Sequence, residues 1–383
     1  MRILHTSDWH IGRTFHGVDL RADQDAVLAE IARIVAAEGV DVVVVSGDLY
    51  DRAMPNADAV RLCNDAFVRI RDAGARIIAT SGNHDSATRV GAAAEFAAAG
   101  GLHLRTRVPE IDVPVLIEDE HGPVAFYAIP YLEPDVVRGE LAVAERSHEA
   151  VLAAAMARIN ADREAREASA GADRLRTVVS AHAFVTGAVP SESERTISVG
   201  GVETVPMSVF GDVDYVALGH LHTPQVLARS VRYSGSPVPY SFGERSDRKA
   251  VWLVDLDANG LRDVTEVALP LARPLGEMTG TVAQLLSEPA LEELTSHYLS
   301  AVLTDPVRPR DPMRVLRERF PHLVHLRWES PARDKETSYR QRVSGASDKE
   351  IARRFLIDTW REPTAADLDL VEEALQQARA GSP

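Results

Sequence analysis

The chain has one cysteine and three lysines in 383 residues, and no long apolar run. With Cys63 alone, neither an intrachain disulfide nor a thiolate metal cluster can form. Cys63 falls in helical step with Val60, Phe67 and Ile70, which predicts a core position. No stretch approaches the roughly 20 apolar residues that cross a bilayer, and Met1 leads directly into an amphipathic strand, so a cytoplasmic protein without a membrane span is expected. The Gly-x-x-x-x-Gly-Lys-Ser/Thr pattern of a nucleotide-binding loop is absent, so the chain is not expected to bind ATP in that way. Net positive charge is lacking too. A formal charge of -15 argues against a protein that coats nucleic acid by bulk electrostatics. Residues 308 to 361 run against this trend, with fourteen Lys and Arg facing eight Asp and Glu.

What is present is a set of apolar strands that end in metal-type ligands. Residues 41 to 51 carry four consecutive valines, a strand buried on both faces, halted by Gly47 so that Asp48 is delivered to the sheet rim. Residues 2 to 7 form a first strand ending in Asp8-Trp9-His10, where alternation points one carboxylate and one imidazole the same way. Helical periods over 20 to 37 and 56 to 73 separate these from a third strand, Arg76 to Thr80, which ends in Gly82-Asn83-His84-Asp85. Asn83 offers a neutral carbonyl oxygen to a metal, and His84 suits a proton donor or phosphate stabiliser. The strand Thr177 to Ala181 runs into His182, and Asp214 to Leu218 into Gly219-His220-Leu221-His222. A His-x-His after a strand-end glycine is a metal signal in its own right.

Elsewhere, residues 142 to 169 predict an exposed amphipathic helix, and Ser234-Gly-Ser-Pro-Val-Pro a stiff loop walling the site. A hairpin over 250 to 269 is expected to close a second sheet. Pro270, Pro274, Gly276 and Gly280 suggest a linker into a small α+β unit, and Ser330-Pro331 a second linker. A helix over 348 to 360, with Ile351, Phe355 and Leu356 on one face and Ser347 as N-cap, would dock on a partner or on its own cap.

Taken in order, Asp-x-His, Gly-Asp-x-x-Asp, Gly-Asn-His-Asp, His and Gly-His-x-His resemble the binuclear metallophosphoesterase superfamily. The fuller motifs, His5-Thr-Ser-Asp-Trp-His-Ile-Gly12, Gly82-Asn-His-Asp-Ser86, Ala217-Leu-Gly-His-Leu-His222 and Tyr233-Ser-Gly-Ser-Pro237, resemble the SbcD family of bacterial nuclease subunits across about residues 1 to 270. The resemblance implies a four-layer αββα metallophosphoesterase sandwich over 1–270, a small α+β capping, DNA-binding domain over 271–330, and a linker and C-terminal helical extension over 331–383. It places Asp8, His10 and His222 on one ion, Asn83, His182 and His220 on the other, and Asp48 between them. His84, tethered by Asp85, would act at the phosphate. Mixed nitrogen and oxygen donors favour manganese or iron over magnesium, and the family points to two Mn2+ ions. Family members cut double-stranded DNA ends as exonucleases and hairpins or single strands as endonucleases in DNA repair. The implied partner is SbcC, an ATPase that would supply the ATP dependence within a heterotetramer containing a homodimer of this chain.

Archaeal relatives carry a histidine where this chain has Asp51, whose role stays open. Histidines 5, 16, 103, 121, 148, 297, 322 and 325 lie outside the motifs and are expected to be structural. A small-nucleotide phosphodiesterase or phosphatase would use the same metal site, and an inactive scaffold is disfavoured because every ligand type is present.

Overall fold

The computed structural model describes residues 1–170, 174–194, 204–244, 248–329, 343 and 345–380. Among them no helix is long and apolar enough to cross a membrane. The chain forms two compact units, Met1–Ala272 and Arg273–Pro383.

In the first unit, β1 (Arg2–Thr6), α1 (Arg21–Glu38), β2 (Val42–Ser46), α2 (Ala57–Asp72) and β3 (Arg76–Thr80) alternate, and β4 (Leu102–Arg105) extends the same sheet. These four strands are parallel neighbours. Ile3, Val42, Val44 and Ile78 point to one face of the sheet, while Leu4, Val43 and Val45 are equally buried on the other. All four valines are therefore covered from both sides, which is why the run is uninterrupted. Asn56 caps α2 by accepting from the Ala59 amide, and α2 buries Ala59, Cys63, Ala66 and Ile70. The thiol is in the core as expected, but Val60 lies outside that face and is 45% exposed.

The second sheet contains β5 (Val115–Asp119), β6 (Gly122–Ile129), β7 (Arg176–His182), β8 (Tyr215–Gly219), β9 (Gln225–Ala228) and β10 (Val231–Tyr233). Its order is β9-β10-β8-β7-β6-β5, parallel from β10 to β6 with an antiparallel strand at each edge. Phe126, Ala128, Val178, Tyr215 and Ala217 pack against Ile3, Val42, Val44 and Ile78 of the first sheet. The opposite face, with Tyr127, Ile129, Val179 and Leu218, is covered by α3 (His148–Ala170) through Val151, Leu152, Ala155, Met156 and Ile159. This is the four-layer αββα sandwich. The long helix corrects one expectation: it starts at His148, and a full apolar face is sealed in the core. Ala154 and Ala155 dilute that face, so composition alone reads it as solvated.

The hairpin of β11 (Ala250–Asp257) and β12 (Gly260–Ala268) corrects another. It joins the first sheet, β11 lying antiparallel to β1 with Leu4 opposite Leu253. Strand alternation shows that a hairpin forms but not which sheet edge receives it.

The second unit, taken by itself, is a parallel three-stranded sheet of β13 (Leu275–Gly280), β14 (Tyr298–Leu303) and β15 (Leu323–Trp328). Two short helices, α4 (Val282–Ser287) and α5 (Pro312–Arg317), accompany it. Met278, Leu285, Leu299, Leu316, Phe320 and Leu323 form its core. The expected linker thus ends sooner than composition suggests, because Gly276 and Gly280 belong to β13. A Cβ at Gly276 would meet Leu299 at 2.9 Å, so close packing selects glycine there. The linker anticipated from Ser330 falls, over 330–342, outside the described residues. Helices α6 (Asp348–Thr359) and α7 (Ala365–Ala380) follow. Ser347 caps α6 by accepting from the Glu350 amide.

Candidate metal centre

Parallel pairing brings the C-terminal ends of β1, β2 and β3 to one edge, with Thr6 opposite Val45 and Ser46 opposite Thr80. In the other sheet Gly219 lies opposite His182. Hydrogen bonds hold the two edges together: Ser46 Oγ donates to the Ala217 carbonyl at 3.0 Å and lies 3.0 Å from Ser180 Oγ. The sequence-predicted ligands are therefore gathered from both sheets into one buried cluster.

Four of these residues, Asp8 (φ 54°), His10 (φ 43°), Asp48 (φ 50°) and His220 (φ 108°), have positive φ. Left-handed backbone at non-glycine residues costs free energy and persists where surrounding contacts hold it, commonly at functional sites. Here the Asp8 carboxylate accepts from the His220 amide at 3.1 Å, and the His10 amide donates to the Asp48 carbonyl at 3.0 Å. Close approach dictates two glycines. A Cβ at Gly82 would stand 2.1 Å from Asp48 Oδ1, and one at Gly219 1.8 Å from the Ser46 carbonyl oxygen.

The candidate ligand atoms fall into three overlapping groups, one of which sets His84 with His10 and Asp48. Asp8, His10 and His222 present atoms within 4.8 Å of one another, and Asp48 meets His182 and Asp8 within the same limit. His10 Nε2 is 3.0 Å from His222 Nε2. His182 Nε2 is 2.9 Å from Asn83 Oδ1, and His220 Nδ1 is 3.3 Å from that oxygen. Asp48 Oδ2 lies between the groups, 3.4 Å from His10 Nε2 and 3.5 Å from His182 Nε2. Its other oxygen accepts from the His84 amide at 2.9 Å.

Burial sets the charge states. It holds His10, His220 and His222 well below the usual imidazole range, and lowers His182 to about 4. All four are therefore neutral at pH 7 and available as ligands. Burial, with the like charge of Asp48, raises Asp8 well above the carboxylate range. Two close buried carboxylates are costly without a cation.

The donor set fits a metal on a further observation. His182 Nδ1 lies 3.0 Å from the Ser46 carbonyl, which can only accept, so that nitrogen carries the proton and Nε2 is a lone pair. That lone pair faces the Asn83 carbonyl oxygen, an arrangement a cation between them resolves. Asn83 Nδ2 and His10 Nδ1 are buried with no hydrogen-bond partner among the described residues.

His84 stands beside the ligands, its ring edge-on to His10 at 4.5 Å. Its expected tether is corrected. The Asp85 carboxylate accepts from the amides of Leu49, Tyr50 and Gly82, stapling the β2 and β3 loops together, whereas His84 Nδ1 is 2.9 Å from the Asp51 carbonyl. Three amides point into one space there, so adjacency in sequence misidentifies what Asp85 holds. The Asp51 carboxylate lies 3.9 Å from His10 Nδ1 and 3.7 Å from Arg13 Nε. Sequence reasoning missed Ser7, whose hydroxyl donates to Asp8 Oδ2 at 2.5 Å, and the polar residues behind His222. Ser7 is signalled only by its position beside a motif, and the residues behind His222 carry no such signal.

Residues 1–224 match the calcineurin-like phosphoesterase family. The chain belongs to that family. Residues 271–359 match a second family, described as the type 5 capsule protein repressor C-terminal domain. Two similar relatives both carry the name of the SbcD component of the SbcCD nuclease. The one from Bacillus subtilis is 33% identical, covering 90% of this chain and 88% of its own. The one from Staphylococcus epidermidis is 30% identical, covering 85% of each. The calcineurin-like phosphoesterase site is thus carried, in this SbcD-type member, by strand ends of two facing sheets.

Proposed function

We propose that this chain is a metal-dependent DNA nuclease of the SbcD type, hydrolysing phosphodiester bonds. The observation that carries the reading is the seat of Asp48 Oδ2 between His10 Nε2 and His182 Nε2, at 3.4 and 3.5 Å. One carboxylate oxygen is shared by two donor sets. Asp8, His10 and His222 would hold one ion with Asp48, and Asn83, His182 and His220 the other. Imidazoles and an amide beside the carboxylates suit Mn2+, or iron, better than Mg2+. When bound, such ions polarise the phosphodiester and acidify water.

The chain's own residues do the rest. Asp48 Oδ1 holds the His84 amide, and the Asp51 carbonyl fixes Nδ1 of the same imidazole. Backbone and ring of His84 are thus both set, and Nε2 is the atom that would meet the scissile phosphate and the departing sugar oxygen. Asp85 supports the same loops through three amides, a positioning role.

The relatives' names support SbcC as a partner, which would bring ATP hydrolysis. Phe355 (54% exposed), Trp360 and Leu370 leave apolar surface on the terminal helices, and this supports assigning α6 and α7 to docking. Within the cap, six arginines against three acidic residues over 308–329 support DNA contact, and we assign the chain to a homodimer within the SbcC assembly.

Cleavage of a labelled hairpin-ended duplex in Mn2+, with and without the matching SbcC and ATP, tests the proposal, with Asp48→Ala as blank. Hairpin opening, with duplex degradation dependent on SbcC and ATP, is expected. Intact DNA in every mixture, alongside hydrolysis of a small phosphodiester, would retain the metal site and remove the DNA assignment.

A further inference from the structure

Lys249 is one of three lysines, and its side chain is completely buried, as is that of Glu244 beside it. An ammonium group has three protons to place. Here it has three acceptors: Glu244 Oε2 at 2.5 Å, the His222 carbonyl at 2.7 Å and Ser236 Oγ at 3.0 Å. A planar arginine fork with five donors does not fit that set. In a chain that otherwise uses arginine, this position calls for lysine.

The other oxygen of the same carboxylate faces the metal centre. Glu244 Oε1 accepts from Ser193 Oγ at 2.7 Å and from Ser241 Oγ at 3.0 Å. Ser193 Oγ is also 2.5 Å from His222 Nδ1. A serine hydroxyl has one proton, and a carboxylate paired with a lysine can only accept it. The serine oxygen must then accept from His222, so Nδ1 carries the imidazole proton. His222 Nε2 is left as the lone pair, 3.0 Å from His10 Nε2. The His222 backbone is clamped as well, its amide donating to Glu194 Oε1 at 2.8 Å and its carbonyl accepting from Lys249.

We infer that Ser193, Glu244 and Lys249 form a hydrogen-bonded relay that fixes the tautomer and direction of His222, making Ser193 a positioning residue for one of the two ions. The inference rests on the metal-centre reading above. A metal-bound imidazole generally donates its remote N–H to a carboxylate or carbonyl, and loss of such a partner typically costs 10–100-fold in metal affinity. Here a hydroxyl stands between imidazole and carboxylate. His10 provides the internal contrast, since its remote nitrogen makes no hydrogen bond among the described residues, the Asp51 carboxylate standing 3.9 Å away.

The test is Mn2+ titration of the metal-free full-length chain, by calorimetry and by the resonance of free Mn2+, on wild type, Ser193→Ala and Ser193→Thr. Ser193 is partly solvent-accessible, so both variants should fold, with melting temperatures close to wild type. Wild type should take up two ions. Ser193→Ala should weaken one by about 10–100-fold and leave the other unchanged, and Ser193→Thr, which keeps the hydroxyl, should restore it. Nitrogen NMR of labelled histidine should show His222 with a protonated Nδ1 in wild type and a mixture of tautomers in Ser193→Ala. Wild-type affinity at both sites in Ser193→Ala, or no rescue by Ser193→Thr, would overturn the inference while leaving the metal centre intact. Wild type that takes up no Mn2+ would instead overturn the metal-centre reading on which it depends.

Discussion

The Nε2 atoms of His10 and His222 stand 3.0 Å apart, although 212 residues separate them in the chain. One imidazole follows the end of β1 in the first sheet, and the other follows β8 in the second. The site is thus a joint between two sheets, and anything that shifts one sheet edge against the other shifts this candidate ligand pair.

That dependence separates the proposed ligands from His84 beside them. Asp48→Ala removes the atom shared by both donor sets, so metal uptake and phosphodiesterase activity should fall together. His84→Ala leaves both sets in place. It should retain two ions by elemental analysis while kcat drops by about 10²–10⁴-fold. Equal loss of metal in the two variants would remove the distinction.

Gly219→Ala tests the joint by sterics. Its Cβ would lie 1.8 Å from the Ser46 carbonyl oxygen, a backbone atom on the facing sheet with nowhere to go. A loss of roughly 1–3 kcal/mol in stability is expected, together with weaker metal binding. Urea denaturation of the metal-free protein measures the first effect, and Mn2+ titration the second.

Lys249→Met should lower stability more, because it leaves the Glu244 charge buried without its partner. Breaking such a pair typically costs about 3–5 kcal/mol. A melting temperature equal to wild type would show that the pair contributes nothing to folding.

The edge far from the candidate metal centre supplies a pH prediction. The Arg176 guanidinium, bidentate at 2.6 and 2.9 Å, holds the Asp119 carboxyl well below the carboxylate range, with help from the Met1 amino group. A depressed folded pKa means that this stabilisation is complete above the unfolded value near 4 and is lost as pH falls below it. Asp119→Asn should therefore be less stable than wild type at pH 7, and the difference should shrink towards pH 3. A constant difference across that range would mean that the residue acts through packing rather than charge.

Phe355→Glu places a charge on the exposed apolar surface of α6. Hairpin opening by the isolated chain should persist, whereas co-purification with SbcC and ATP-dependent duplex degradation should decline. Unchanged complex formation would move the docking site elsewhere.

The sequence by itself determined the strands and the chemistry at their ends. Val42 to Val45 can be uninterrupted only where both faces are covered, and each apolar run stops at a turn carrying carboxylate, amide or imidazole. Those are local properties, written in periodicity and in glycines such as Gly47 and Gly82. Only the tertiary structure decided which residues support the ligands. Asp85 reaches three amides instead of its neighbour His84, the 250 to 269 hairpin joins the first sheet instead of the second, and Lys249 sits behind His222. Hydrogen-bond partners and sheet edges are chosen by proximity across hundreds of residues, and a polar side chain in a loop carries no local mark of the group it will meet.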